Sequence, residues 1–278
     1  MEITLYGIIC ILGIMENGLV IWIAGFRMKK TINAVWLLHL AIADFLCSAF
    51  LALFIVSWAD LIDEGLQFIF SILTTVSLII ALSVSILLLT AMSVDRWVSV
   101  MWPFWAKVHR TQKLAKITAG VIWIFCLVVT GIVCYFVVMY NHRTSEIMKS
   151  VDLVRLVVLF VIPFLIISTS YVTILLKIRK SKRPQRSQRP YRIITAVILC
   201  FFICWAPFNI WPFIPKDHMF NFHNHIFHTI INFFAFLNSC INPIIYVFMD
   251  QDFRDGFLRS IPFRLQRASR EHPDDPRE

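Results

Sequence analysis

Long stretches of apolar residues dominate this chain, and short charged segments separate them. Seven stretches are close to the length of about 20 residues that a transmembrane helix needs; they cover residues 3–26, 33–57, 66–95, 116–140, 151–176, 193–215 and 221–248. Because lipid offers no partners to backbone amides, apolar runs of this length form helices. The short alternating segments of a membrane β-barrel are not seen in the sequence. The pattern predicts an all-α membrane protein, a seven-transmembrane helix bundle.

The composition supports this prediction. Apolar residues make up 59% of the 278 residues and charged residues only 15%, against about 45–50% and about 25% in soluble domains. An ordinary cytosolic enzyme is therefore excluded. The net charge of +9 comes from segments between apolar spans and does not indicate nucleic-acid binding.

Most lysine and arginine residues lie on one side of the predicted bundle. The segments after the first, third and fifth spans and the C-terminal tail hold 22 of the 26 cations, and the opposite side holds Arg143, Lys149, Arg155 and Lys216. Since positively charged loops stay in the cytoplasm, the N-terminus is expected outside and the C-terminus in the cytosol. The basic inner surface should also attract anionic membrane lipid.

Few ionisable residues lie within or at the ends of the spans, and each is a candidate functional residue because a charge in lipid is costly. Apart from histidines and two groups at span edges, they are Glu16, Asp44, Asp95, Arg96 and Arg155. The Asp44 carboxylate needs a proton or a cation with oxygen ligands. A sodium site is therefore a hypothesis, formed by Asp44, Ser85, Asn238, Ser239 and Asn242. A polar seam that only joins helices is the equal alternative.

Two further features lie near the cytosolic side and within the last spans. Asp95 and Arg96 end the third span, where Arg96 either pairs with its neighbour or is free to meet a partner; a snorkelling pair at the membrane edge is the plainer alternative. Pro163, Pro207 and Pro243 interrupt the fifth, sixth and seventh spans. Each proline removes a helical hydrogen bond and kinks its helix, which favours helix movement.

Seven motifs, one in each span and in a fixed order, carry a family resemblance. They are Asn17-Gly-Leu-Val, Leu40-Ala-Ile-Ala-Asp44, Asp95-Arg96-Trp97, Trp123, Pro163 with Tyr171, residues 201–207 (FFICWAP) and residues 238–246 (NSCINPIIY). Each motif is weak alone, but together they resemble the rhodopsin-like (class A) G-protein-coupled receptors over nearly the whole chain. Residues 17–28, 105–116, 201–208 and 246–254 are most similar to the chemoattractant group, in particular the formyl-peptide receptors.

The resemblance implies a plasma-membrane receptor, active in chemotaxis, for an extracellular peptide or lipid anion. It implies a ligand pocket among the outer ends of spans three, five, six and seven, lined by Arg155, Leu78, Ile79, Leu82, Trp205, Phe208, Asn209, His228 and Asn232. Arg155 matches a basic position that formyl-peptide receptors use to hold a peptide; an arginine that snorkels to the membrane interface near the start of the fifth span is the equal alternative. Leu78 replaces the aspartate of amine receptors, and the seventh span lacks the lysine that retinal requires.

The resemblance also implies an activation switch and an intracellular partner. The switch residues are Asp95, Arg96, Ile86, Pro163, Tyr171, Phe201, Pro207, Pro243 and Tyr246. Outward movement of the sixth span at Pro207 would open a cleft for the C-terminal helix of an inhibitory-type heterotrimeric G protein. Residues 1–249 would form the receptor domain. Residues 250–278 would form the cytosolic tail, which begins with a short amphipathic C-terminal helix on the membrane surface.

Several positions depart from the family pattern. The family's outer disulfide is not expected, because Ser71 occupies its first position and residues 140–150 contain no cysteine. Glu16 replaces a small residue before Asn17, and Ile79 stands where formyl-peptide receptors carry an acid. These departures leave open a non-signalling or decoy receptor remnant.

Other functional classes fit the sequence less well. A membrane transporter is the more distant alternative, but the chain lacks internal repeats and abundant intramembrane charge. No set of catalytic residues assembles at one depth, so no enzyme is predicted, and no cofactor beyond the sodium ion. His218, His223, His225 and His228 crowd the outer end of spans six and seven. Simple solvent exposure is the more common role of such histidines, and zinc binding or pH sensing is the less common alternative.

Overall fold

The fold is given by a computed structural model that describes residues 2–58, 63–139, 145–180, 200, 203–214 and 221–249. Helix α1 covers Glu2–Trp22 and continues in a π-helical turn, Ile23–Arg27. It is followed by α2 (Ile32–Trp58), α3 (Glu64–Met101), the short helix α4 (Pro103–His109) and α5 (Gln112–Met139). The fifth span comprises α6 (Ser145–Leu156), a π-helical turn (Val157–Val161) and α7 (Ile162–Lys180). Helix α8 covers 203–210 and leads into a 3-10 turn (Trp211–Phe213), and α9 covers Asn221–Met249.

These helices bear out the predicted all-α membrane architecture. Within the described chain, five helical segments are long and apolar enough to cross a membrane: Ile3–Arg27, Ile32–Leu53, Gly65–Met101, Gln112–Tyr135 and Lys149–Lys177. They coincide with the first five predicted spans. Helix α9 coincides with the seventh. Of the sixth, residues 200 and 203–214 are described, and the segment 250–278 lies outside the described residues.

Helix α3 is longer than the apolar pattern predicted. It begins after Asp63, whose carboxylate accepts a hydrogen bond from the N–H of Leu66 at 3.3 Å and so caps the helix. It continues to Met101 rather than ending at residue 95. The extension is stabilised by α7, because Trp97 and Val100 pack against buried residues of that helix.

The fifth span accommodates its proline through a change of helix type. Proline has no N–H, and its ring collides with the carbonyl four residues earlier in a regular α-helix. The π-helical turn Val157–Val161 lies directly before Pro163 and widens the backbone there. The predicted interruption of this span is therefore present as a π-helical turn.

Two large apolar clusters hold the bundle together. One joins α1, α2, α3 and α5 around Ile23, Leu40 and Leu88. The other joins α1, α2, α3, the fifth span, α8 and α9 around Leu51, Ile86 and Trp205. Helices α2 and α3 contribute to both and contact each other along their length. The outer face of α5 exposes residues such as Ile124 and Val128, as expected for a helix that faces lipid.

Candidate functional site

A buried carboxylate lies where α2, α3 and α9 meet. Asp44 is 1% exposed. One of its oxygens accepts a hydrogen bond from Ser85 Oγ at 3.0 Å, and the other accepts one from Asn242 Nδ2 at 2.7 Å. Three residues of the predicted sodium site therefore converge, although they are far apart in sequence. Both donors are neutral, so they orient the carboxylate without cancelling its charge.

A second set of buried polar groups surrounds the same helices. Asn17 Nδ2 donates to the carbonyl of Gly13 at 2.9 Å and to the carbonyl of Ser239 at 3.1 Å, which ties α1 to α9. Within the described residues, Asn17 Oδ1, Asn238 Nδ2 and Ser239 Oγ are buried without a hydrogen-bond partner. Since buried polar atoms are normally paired, these atoms indicate a site for water, and the two oxygens among them are also suited to a small cation.

Helices α1 and α2 pack closely together beside this polar cluster. A Cβ on Gly13 would lie 2.9 Å from the Cβ of Ser48 and closer still to its hydroxyl. The Ser48 hydroxyl donates to the backbone carbonyl of Asp44 at 3.0 Å. The absence of a side chain at Gly13 is therefore required by the approach of the two helices.

An aromatic and aliphatic cluster fills the region of the predicted ligand pocket. Trp205 is 2% exposed and packs with Ile86, Phe160 and Phe236. Its ring meets that of Phe208 edge to face, with centroids 6.2 Å apart. The same cluster contains Leu78 and Leu82, which were also predicted to line the pocket.

The remaining predicted pocket residues have different surroundings. Asn209 is buried, and its Nδ2 donates to the carbonyl of Trp205 at 2.9 Å, so its amide group stabilises its own helix. Ile79 lines a separate crevice between α3, α5 and the fifth span. Asn232 is partly buried on α9, and the side chain of His228 lies outside the described part of the structure, as do those of His218, His223 and His225.

Arg155 stands at the C-terminal end of α6, beside the aromatic cluster. Its Nη2 lies 3.1 Å from Asp152 Oδ1, and each side chain is about a quarter exposed. Its guanidinium carbon lies 5.2 Å from the centroid of the Phe208 ring, a cation–π geometry. Its Nε is buried and has no partner among the described residues. Asp152 is one of the two span-edge groups that were not among the candidate residues from the sequence. It partners Arg155 from the same helix.

At the C-terminal end of α3, Asp95 pairs with Arg110 and not with Arg96. Arg110 Nε donates to Asp95 Oδ1 at 2.7 Å, and its Nη2 donates to Asp95 Oδ2 at 2.6 Å and to Asn33 Oδ1 at 3.2 Å. Such a two-point pair fixes the geometry of the guanidinium against the carboxylate as well as neutralising its charge. Arg96 has no hydrogen bond or ion pair to any described residue, and it lies within electrostatic range of the Tyr171 hydroxyl.

Tyr171 belongs to a small cluster that joins α7 to α3. It is buried with Ile167 and Ile174 against Trp97. Trp97 Nε1 donates to Thr173 Oγ1 at 2.7 Å. Of the other predicted switch residues, Pro243 lies buried inside α9 and Pro207 lies in α8, whereas Phe201 and the side chain of Tyr246 are outside the described part.

Sequence reasoning missed Arg110 and Asn33 as partners of Asp95. The arginine is 15 residues beyond Asp95 and the asparagine lies in another helix, so no periodic pattern links the three. The pair of Asp152 with Arg155 could have been predicted from the sequence, because residues three apart on a helix are neighbours.

The cysteine side chains lie mainly inside the bundle. All seven cysteines are free in the structure, and Cys10, Cys47, Cys126, Cys204 and Cys240 are buried within the bundle. No cysteine therefore takes the place of the family's outer disulfide.

Comparison with known proteins places this arrangement in a family. Residues 16–246 match the 7 transmembrane receptor (rhodopsin family) model. N-formyl peptide receptor 3 of Macaca mulatta is 36% identical over 98% of this chain and 86% of its own length. The Homo sapiens protein of that name is 34% identical over the same shares, and formyl peptide receptor 2 of Mus musculus is 33% identical over 92% of this chain and 82% of its own length.

The match extends over the helices that carry Asp44, Arg96, Arg155 and Trp205. Members of this family are multi-pass membrane receptors and not enzymes, and their partners are an extracellular ligand and a heterotrimeric G protein. The chain belongs to the rhodopsin family of seven-transmembrane receptors, and its relatives named here are formyl peptide receptors.

Proposed function

We propose that this chain is a plasma-membrane chemoattractant receptor that binds an anionic peptide or lipid at Arg155 and activates an inhibitory-type G protein. The observation that carries the proposal is the position of Arg155. Its guanidinium lies over Phe208, whose ring packs against Trp205. A ligand anion at this arginine would therefore act directly on the aromatic cluster.

The orientation follows from the same elements. The C-terminal end of α3, with Arg110 and Lys177 beside it, would face the cytosol, and Arg155 would lie toward the outer side. Lys177 Nζ donates to the carbonyls of Val100 at 2.8 Å and Met101 at 3.0 Å, so this end of α3 carries a dense positive charge. Positive residues favour the cytosolic side of a membrane.

The mechanism we infer is a shift between two packings of the helices. A ligand shifts an equilibrium only through contacts that differ between the two states. Trp205 would repack when an anion binds Arg155, and Pro207 would let the inner part of the sixth span move outward. Arg96, which has no acidic partner within the described structure, would then meet the helix of the G protein in the opened cleft.

The buried polar cluster fits a sodium ion. Asp44 and the hydroxyls of Ser85 and Ser239 supply oxygen, the ligand type that hard cations prefer. The amides of Asn238 and Asn242 supply further polar groups, and Ser239 Oγ has no partner among the described residues. A bound ion would supply the positive charge that the neutral partners of Asp44 lack. The chain's own residues orient the carboxylate and exclude lipid from it.

Binding and G-protein loading of the purified receptor in nanodiscs test the proposal. Nucleotide exchange is measured on inhibitory-type and stimulatory-type α subunits, with formylated peptides and anionic lipids as candidate ligands. Arg155→Gln should weaken the binding of an activating anion at least about tenfold, because a hydrogen bond to a charged group contributes about 1.5–3 kcal/mol. Lys149→Gln, which removes an exposed cation of the same helix, should leave binding unchanged. Exchange only on stimulatory-type subunits, or equal binding by both variants, would contradict the proposal.

A receptor remnant that binds ligand without signalling is the second candidate, and the free thiols favour it. A native disulfide typically contributes about 2–5 kcal/mol to a small extracellular domain, and here Ser71 stands at the family's first disulfide position. Surface staining of the tagged full chain in cells, combined with ligand binding and G-protein loading, separates the two candidates. A chain at the cell surface that binds peptide but loads no G protein would establish the remnant.

A further inference from the structure

A crevice of about 500 Å³ lies between α3, α5 and the fifth span. Ile79, Phe125, Val129, Val133 and Val158 contribute to its apolar wall. Helix α5 packs against α2 and α3, and the crevice separates it from the fifth span. The volume is within the range of about 300–1,000 Å³ that is common for ligand sites.

The crevice opens on the surface that faces lipid. Phe125 is 48% exposed, Val129 41% and Val154 61%, and these side chains form its rim. In a chain that spans the membrane, such apolar exposure is contact with acyl chains. An occupant would therefore enter from the bilayer and be apolar over most of its length.

One charge stands in this apolar wall. Among the described residues that line the crevice, Arg155 alone is charged. Asp152 faces its Nη2, but the buried Nε of Arg155 has no acceptor in the described structure. Arginine carries five N–H donors and stays protonated. The α3 side of the crevice offers Ile79 and no acid, so the site is complementary to an anion.

We propose that this crevice binds a long-chain fatty acid from the bilayer, with its carboxylate on Arg155 and its acyl chain along Val129 and Val158. This site is separate from the Trp205 cluster, although Arg155 borders both. The acyl chain passes from one apolar medium to another and gains little free energy from the transfer. Selectivity must therefore come from the charge-assisted hydrogen bonds of the carboxylate to the guanidinium.

Photolabelling of the full chain in phosphatidylcholine nanodiscs tests this site without any signalling readout. The probe is palmitate with a diazirine near the end of its chain, and labelled peptides are identified by mass spectrometry. Palmitate should compete at least about tenfold better than hexadecanol, because the alcohol lacks the charge that strengthens hydrogen bonds to the guanidinium. Equal competition by the alcohol, or better competition by lysophosphatidylcholine, would overturn the proposal.

Two pairs of variants locate the site. Val129→Trp should fill the crevice and remove the labelling of α5, whereas Val128→Trp, at a neighbouring 54% exposed position outside the crevice, should retain it. Arg155→Gln should bring palmitate to the level of hexadecanol, and Arg155→Lys should keep most of the preference. Equal labelling of the two tryptophan variants would identify ordinary annular lipid and reject the site. A receptor that fails to load any G protein would overturn the proposed function and leave this labelling result unaffected.

Discussion

Asp44 and Asp95 are two carboxylates of one bundle that are held in opposite ways. Asp44 is 1% exposed and accepts hydrogen bonds from the neutral groups of Ser85 and Asn242. Asp95 lies near the C-terminal end of α3, with its side chain 14% exposed, and is paired at two points by the guanidinium of Arg110.

The difference shows how one structure can give two acids different tasks. Neutral donors cannot cancel the charge of an ionised Asp44 in a low-dielectric interior, so this carboxyl group must bind a proton or a cation. That acid is therefore suited to respond to a cation. The charge of Asp95 is already cancelled by Arg110, so Asp95 does not form an ion pair with the adjacent Arg96. One acid is a candidate ion site, and the other keeps a cation available at the proposed G-protein surface.

The largest expected effect comes from removing the Asp44 carboxylate. Asp44→Ala leaves the Ser85 hydroxyl and the Asn242 amide without their acceptor, at about 1–3 kcal/mol for each buried group. Asp44→Asn retains an acceptor oxygen and should lose much less. Thermal unfolding of the purified variants checks the order. An Asp44→Ala protein as stable as Asp44→Asn would show that these hydrogen bonds do not hold the three helices together.

The packing that surrounds Asp44 should be sensitive to one methyl group. Gly13→Ala places a Cβ against Ser48, and the helices must separate, at a cost of about 1–3 kcal/mol. Gly7→Ala is the matched control in the same helix, because a Cβ there meets nothing within 4 Å. Unfolding temperatures of the two variants should differ clearly. Equal values would mean that α1 does not depend on this close approach.

Sodium should distinguish the two acids directly. Replacing choline chloride by sodium chloride at constant ionic strength should stabilise the wild type by about 1.4 kcal/mol at a tenfold excess over Kd. Asp44→Asn should lose this stabilisation, and Asp95→Asn should retain it. Thermal shift at several sodium concentrations gives the measurement. Stabilisation that persists in Asp44→Asn would place any sodium site elsewhere.

The smallest expected effect on stability comes from the partly exposed pair of Asp95 and Arg110 near the end of α3. Arg110→Gln should destabilise the protein by only about 1 kcal/mol, as is typical of such ion pairs. Its effect on signalling should be larger, because Asp95 then becomes free to bind Arg96. Lys113→Gln is the control, since it removes an exposed cation of the adjoining helix. Adding Asp95→Asn to Arg110→Gln should restore G-protein activation; if it does not, Arg110 acts by another route.

The sequence was sufficient to predict the helices and the carboxylate cluster, but not the ion pairs. Apolar length locates a membrane helix, and a rare acid such as Asp44 in such a run identifies a polar site because its cost in lipid is high. The pairing of Asp95 with Arg110 depends on how the segment after α3 folds back, which no local pattern encodes. The same holds for Ile79, which faces the lipid-side crevice, whereas its neighbour Leu78 faces the aromatic cluster.

The most direct test of the central claim is G-protein activation by the surface-expressed chain, measured in cells with and without Arg96→Ala. The wild type and Lys113→Gln should show basal or ligand-driven activation, and Arg96→Ala should lose it at an equal surface level. Activation that survives Arg96→Ala, or a surface-expressed wild type that activates no G protein, would contradict the account of Arg96 as the cation kept free for the partner.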